Sequence, residues 1–145
     1  MGDADLHDRD FALWSEQQAD ALRRHAADEI DWENVAEEIE GLSRNDKRVI
    51  YLRLAIICAH LLKWRYQSTV RSNSGRGSAV EARNRIDLII DDSPSLRSYP
   101  ERALMKAYAA GRRVVEAETG LTDLPTDCPW TIEQVLDRNW PEHTA

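Results

Sequence analysis

The longest helical pattern in the chain constrains the fold more than any other feature. It runs from Asn45 to about Gln67, and its apolar residues recur at the three- and four-residue spacing of an α-helix. Val49, Ile56 and Trp64 share one side, and further apolar residues extend this surface around the helix. A helix that is apolar over more than half its circumference needs several neighbours to cover it. The pattern therefore predicts a central core helix.

Shorter helical patterns flank this stretch on both sides. The other predicted helices cover residues 11–26, 32–42, about 80–90, 95–120 and 131–137. Residues 68–78 are polar, basic and glycine-containing, and they predict a loop. Because no alternating strand pattern occurs, the sequence predicts an all-α, single-domain helical bundle over residues 1–145. It has about five or six helices and a short C-terminal helix.

Local capping signals support several of these helix ends. Asp10 and Asp31 each precede a helical pattern as N-cap residues. Gly120 is a C′ residue, and Thr131 with Gln134 forms a capping box for the last helix. The predicted core residues are Trp32, Ile39, Ile56, Ile57, Trp64, Ile86, Ile89, Leu104 and Trp130.

Composition narrows the class of protein further. A chain of 145 residues can bury a core in one domain without disulfides, and the two cysteines, Cys58 and Cys128, do not make a disulfide framework. The N-terminal stretch MGDADLHDRD is polar, and no run approaches the roughly 20 apolar residues of a membrane span. We therefore expect a cytoplasmic protein without a membrane partner.

Charge is distributed unevenly along the chain. The net charge is −7, but residues 1–42 contain 13 acidic against 3 basic side chains. Residues 63–85 contain six basic side chains against the single carboxylate of Glu81. Such a dipolar sequence suggests either a homo-oligomer or a basic protein partner.

Six sequence stretches together resemble a known family. They are DFALW at 10–14, DWENVAEEIEGL at 31–42, HLLKW at 60–64, DDSPSLR at 91–97, AETGL at 117–121 and CPWTIEQVLD at 128–137. In this order they resemble the bacterial family called domain of unknown function number twenty-nine. The basic stretch 68–78 is least like the family pattern. The resemblance implies a small helical bacterial protein and implies no activity.

A polar cluster around His60 is the first candidate site. If the helices 32–42 and 45–67 packed antiparallel, glutamates of the first would approach His60 of the second. The candidate residues are Glu33, Glu37, Glu38, Arg53, His60 and Lys63. A carboxylate beside an imidazole can act as an acid–base pair or contribute to a metal site. The Glu-x-x-His pattern of carboxylate-bridged bundles is missing, so we assign no metal ligands, and a structural His60 bonded to a glutamate is the simpler reading.

A basic segment is the second candidate. Its surface residues are predicted to be Arg65, Arg71, Arg76, Arg83 and Arg85. Such side chains can neutralise phosphates, and Trp64 or Tyr66 could stack on bases. The chain as a whole is acidic and has no recognised nucleic-acid motif, so this surface predicts at most weak, salt-dependent binding.

No catalytic residue or cofactor site is predicted. Cys58 and His60 point roughly 160° apart on one helix and cannot pair, and no phosphate-binding or nucleophile motif occurs. The sequence therefore favours a non-enzymatic protein-interaction module. A metal-binding or acid–base bundle centred on His60, and a weak nucleic-acid binder, are the alternatives.

Overall fold

The computed structural model describes residues 3–67 and 73–141. Within these ranges the chain forms six α-helices and two short 3-10 helices, and no strand, so the all-α prediction is confirmed. The α-helices are α1 (Asp3–Arg9), α2 (Phe11–Arg23), α3 (Trp32–Tyr66), α4 (Asn73–Asp92), α5 (Tyr99–Thr119) and α6 (Ile132–Leu136). The 3-10 helices are Ala27–Glu29 and Pro94–Leu96.

The chain divides into two compact units, Met1–Asn45 and Asp46–Ala145. Helix α3 begins in the first unit and ends in the second. The single-domain organisation over residues 1–145 stays a prediction.

In the first unit, α2 is joined to the start of α3 by a polar network. The side chain of Asp10 caps α2 by accepting a hydrogen bond from the Leu13 backbone N–H at 3.0 Å, as the sequence predicts. Gln18 is buried, accepts from the Asp31 N–H at 2.7 Å and donates to the Glu29 carbonyl at 3.2 Å. These two bonds satisfy the carbonyl and the amino group of the Gln18 side chain. They therefore fix the path of the chain from α2 to the start of α3.

Helix α2 ends earlier than predicted, at Arg23 rather than near residue 26. His25 adopts a left-handed conformation with φ of 56°, which a helix cannot continue. The Ala26 N–H then donates to the Ala21 carbonyl at 2.9 Å, a bond that closes the helix end.

Helix α3 is one uninterrupted helix of 35 residues, so the predicted break near residues 43–44 is wrong. Gly41 costs an interior helical position only about 1 kcal/mol, which flanking helix formers outweigh. The exposed Arg44 side chain also reaches back along the helix to the carboxylate of Glu37 at 3.2 Å and to that of Glu40 at 3.5 Å. The antiparallel pair of helices on which the His60 cluster depended therefore does not form.

Part of the predicted core is exposed. Trp32 and Ile39 are 60% and 62% exposed, and Ile56 is 38% exposed, so these three predictions are wrong. Each lies at the correct helical spacing, but this spacing identifies an apolar face without saying that another element covers it.

The core of the second unit surrounds the C-terminal half of α3, as predicted for the central helix. Ile57, Ile86, Ile89 and Trp130 are buried as predicted, whereas Trp64 and Leu104 are half-buried. The fully buried members from α3 are Ile50, Leu54, Ile57, Cys58 and Leu62. These side chains contact residues of α4, α5 and the C-terminal segment in one cluster.

Helices α3 and α5 are in close backbone contact at Gly111. A Cβ atom placed there would lie 2.6 Å from the Ala55 carbonyl oxygen and 3.2 Å from the Cys58 Cβ. Only glycine leaves room for this backbone contact, which brings the neighbouring faces of the two helices together.

Helix α4 begins at Asn73, so residues 73–78 are helical and the loop predicted over 68–78 is wrong in this part. Residues 68–72 lie outside the described residues. The C-terminal predictions are confirmed: Gly120 ends α5 with φ of 73°, and Thr131 and Gln134 form the capping box of α6.

Candidate functional site

A partly open cavity of about 730 Å³ lies within the second unit, between α3, the start of α4 and α5. Its lining residues are Tyr51, Leu52, Ala55, Ile56, Ala59, His60, Lys63, Trp64, Gln67, Gly75, Ser78, Ala110, Gly111, Val114 and Glu118. Apolar atoms form most of this surface, and we refer to it as the α3–α5 groove. The volume falls within the roughly 300–1,000 Å³ typical of ligand pockets.

Exposed aliphatic side chains mark the open part of the α3–α5 groove. Leu52, Ile56 and Val114 line it and are 50%, 38% and 48% exposed. Leu52, Ile56 and Lys63 lie four and then seven residues apart, so they share one face of α3. The groove is therefore an apolar concave surface in contact with solvent.

The polar groups of the groove lie towards the C-terminal ends of α3 and α5. The Lys63 ammonium forms an ion pair with the Glu118 carboxylate, and this pair joins the two helices. The His60 ring lies 6.1 Å from the Trp64 ring, with the planes tilted by 45°. His60, Lys63 and Glu118 thus contribute an imidazole, an ammonium and a carboxylate to one mainly apolar surface.

The members of the predicted His60 cluster have other partners. Glu38 bonds to His7, and Glu37 pairs with Arg44. The Arg53 guanidinium lies 3.4 Å from the Glu81 carboxylate, and Lys63 pairs with Glu118 of α5. Glu33 is exposed in the first turn of α3. The residue that meets Lys63 lies 55 residues further along the chain, and no helical spacing in the sequence indicates that contact.

The predicted basic surface is only partly present. Arg65, Arg76 and Arg85 are exposed, whereas Arg71 lies outside the described residues. Arg83 is 2% exposed, so its assignment to the surface is wrong. Its guanidinium donates to the backbone carbonyls of Val135 and Trp140, each at 3.0 Å. The position that the sequence predicted to bind phosphates instead holds the C-terminal segment against α4.

A histidine–glutamate pair does form in the first unit, but with a different histidine. His7 Nε2 lies 2.7 Å from Glu38 Oε1, and its ring packs edge-on to Trp14 with centroids 4.6 Å apart. His7 lies in α1 and is only partly exposed. The aromatic residues Phe11 and Trp14 just after His7 are the signal that could have indicated this contact.

The His7–Glu38 pair predicts a pH dependence in the first unit. The hydrogen bond to Glu38 raises the pKa of His7 above its ordinary 6.5. Burial of the ring lowers this pKa, and a hydrogen bond to Asp8 raises it further, but both effects are smaller. The pair's stabilisation is therefore complete below about pH 6.5 and is lost as the pH rises through the raised pKa. In an NMR titration, we expect His7 to titrate above 6.5 and to fall towards 6.5 in Glu38→Gln. Identical titrations of the two proteins would contradict this assignment.

The two cysteines lie close together in the second unit. Cys58 is fully buried, and Cys128 is half-buried and packs against the same core cluster. A hydrogen bond between the two thiols, with burial, raises the pKa of Cys58, and the same bond lowers the pKa of Cys128. The Cys128 thiol also donates to the Trp130 carbonyl at 3.4 Å. Because the two cysteines are 70 residues apart in sequence, no local pattern predicts that they lie close together.

The described residues contain no group of three or more His, Cys, Asp or Glu side chains able to hold a metal ion. Nor does any helix in the described ranges have the length and apolar character needed to cross a membrane. Fold and site together define an all-α protein with an open, mainly apolar groove. The chain belongs to the family described as domain of unknown function DUF29, whose model matches residues 6–141. No curated protein and no solved structure matches it significantly.

Proposed function

We propose that the chain is a non-enzymatic protein-interaction module and that its α3–α5 groove binds an amphipathic helix of a partner protein. The observation that carries this proposal is the exposure of Leu52, Ile56 and Val114 along a concave surface. Contiguous apolar surface is costly to leave in water, and a partner that covers it gains the free energy of burial.

The arrangement of the groove favours a helix as the bound segment. Two helices form its walls, with Leu52 and Ile56 four residues apart on α3 and Val114 on α5 as the exposed aliphatic side chains. A helix with apolar residues at matching spacing fits between such walls, which is the helix-in-groove mode of recognition. Ala55, Ala59 and Ala110 also line the groove, and their small side chains leave room for partner side chains.

Photo-crosslinking tests this proposal. A photoreactive amino acid replaces Ile56 in the groove or, as a control, Leu88, which is 57% exposed on α4 and outside the groove. In the cells from which the chain comes, we expect a discrete crosslinked protein at position 56 and none at 88. The identified protein, once purified, should bind the wild-type chain, and Ile56→Asp should weaken that binding at least about tenfold, or about 1.4 kcal/mol.

Two results would contradict the proposal. The first is equal crosslinking at positions 56 and 88, which would indicate non-specific contact. The second is purification of the chain with a bound small molecule in the α3–α5 groove, observed by native mass spectrometry and lost in Ile56→Asp.

Acid–base chemistry at His60 is the second candidate function, because His60, Lys63 and Glu118 line the same cavity. A histidine can act as a general acid or base, and a nearby carboxylate can assist it. The Glu118 carboxylate is paired with Lys63, so its charge is already offset. We therefore prefer the interaction module to the enzyme.

A bacterial cytoplasm is the setting that we propose for this module. Two cysteines in 145 residues are far fewer than the disulfide-dense composition of small secreted domains. Nucleic-acid binding through the basic segment loses support, because Arg83 is buried and Trp64 lines the groove.

A further inference from the structure

A second apolar surface lies in the first unit, on the N-terminal part of α3. Trp32, Ile39 and Leu42 are 60%, 62% and 71% exposed, and the partly exposed Val35 lies between them. We call these four residues the α3 stripe. Their spacing of three, four and three residues repeats the pattern of a coiled-coil seam. None of these four residues lines the α3–α5 groove, so the α3 stripe is separate from it.

Carboxylates border the α3 stripe on both sides. Glu33 and Glu40 lie beyond one edge of this helix face, and Glu38, which bonds to His7, lies beside the other, whereas Glu37 lies on the opposite side of the helix. Arg44 pairs with Glu37 and with Glu40 and so offsets part of this charge. No ion pair of Glu33 occurs among the described residues. The surface is thus apolar along its centre and acidic along its edges.

We propose that the α3 stripe binds a basic amphipathic helix of another protein, with Lys or Arg residues flanking its apolar seam. Apolar residues at heptad spacing would pack against Trp32, Ile39 and Leu42. The flanking cations would meet Glu33 and would compete with Arg44 for Glu40. Seam residues supply most of the affinity, while flanking charges set partner choice and association rate.

Charge decides between this partner and a second copy of the chain. Residues 1–42 contain 13 acidic against 3 basic side chains, so two copies paired through this face would bring like charges together. A basic helix would instead reduce the repulsion among the acidic side chains of residues 1–42, and its apolar face would become buried against the α3 stripe. The acidic edges are therefore complementary to a basic partner and oppose self-association.

Peptide binding to the full chain tests this inference. The probes are a fluorescently labelled amphipathic peptide of leucine and lysine in heptad spacing and its leucine–glutamate counterpart. By fluorescence anisotropy, we expect the lysine peptide to bind, with affinity that falls as salt is added, and the glutamate peptide not to bind. Glu33→Gln combined with Glu40→Gln should reduce both the affinity and its dependence on salt.

Ile39→Asp separates apolar docking from simple charge attraction. This variant makes the surface more acidic, so purely electrostatic binding would tighten, whereas docking on the α3 stripe should weaken at least about tenfold. Leu88→Asp, on α4 and outside both the α3 stripe and the α3–α5 groove, is the matched control and should bind the peptide as the wild type does. Circular dichroism establishes that both variants remain helical.

Three outcomes would overturn the inference. Equal binding of the two peptides would show that charge complementarity does not select the partner. Unchanged or tighter binding by Ile39→Asp would show that the peptide does not bind at the α3 stripe. Sedimentation that finds a dimer of the wild type, dissociated by Ile39→Asp, would make a second copy the occupant.

Discussion

Replacement of Arg83 by methionine is expected to lower the free energy of unfolding of the second unit by about 3 kcal/mol. The Arg83 guanidinium donates to the Val135 and Trp140 carbonyls at 3.0 Å each, and its side chain is almost completely buried. Methionine fills a similar volume but cannot donate, so the Val135 carbonyl would lose a hydrogen bond from a charged donor inside the protein. Urea unfolding monitored by far-ultraviolet circular dichroism measures the loss.

Two variants make the result specific to the guanidinium. Arg85→Met removes an exposed arginine from the same helix and should change stability by less than about 0.5 kcal/mol. Arg83→Lys keeps the charge but loses the planar fork, so it should fall between the wild type and Arg83→Met. If Arg83→Met unfolds at the same urea concentration as Arg85→Met, the contacts of Arg83 do not hold the C-terminal segment.

Replacement of Gly111 by alanine is expected to destabilise the second unit by about 2 kcal/mol, in the range of overpacked cores. The new Cβ would lie 2.6 Å from the Ala55 carbonyl oxygen, and backbone atoms cannot move aside as the end of a side chain can. Alanine is the better helix former by about 1 kcal/mol, so the clash must exceed this gain. The measurement is the same urea titration.

Gly41→Ala is the matched control for Gly111→Ala. Gly41 also lies inside a helix, but a Cβ there would meet only the end of the Arg44 side chain, at 3.7 Å. This variant should therefore become more stable by about 1 kcal/mol, since only the helix propensity changes. Gly111→Ala should also move α5 away from α3 and weaken partner binding in the groove. A stabilised Gly111→Ala would contradict the close contact between the two helices.

The fold class and several helix ends were predictable because they depend on neighbours along the chain. The capping box of Thr131 and Gln134 is satisfied by atoms three residues apart, and Gly120 provides a positive φ that other residues adopt at a cost. The central position of the C-terminal half of α3 was predictable too, because its apolar residues surround the helix.

The candidate sites were less predictable because their residues are distant in sequence. Lys63 pairs with Glu118, 55 residues away, and His7 pairs with Glu38, 31 residues away. Neither contact follows from helical spacing in the sequence. The sequence therefore predicted that the glutamates of α3 approach His60, whereas Glu38 bonds to His7. The same limitation applies to Arg83, which resembles a surface arginine in sequence but lies beneath the C-terminal segment.

By itself, the sequence determined an all-α protein of the DUF29 family, with a central helix and correctly placed caps, because these properties follow from local propensity, spacing and motif order. Only the tertiary structure decided which apolar faces are covered. Ile57 is buried and Ile56 is partly exposed although they are adjacent on α3, because Ile57 packs in the core of the second unit and Ile56 lines the open groove. Hydrophobic periodicity identifies a face, whereas burial depends on what packs against it.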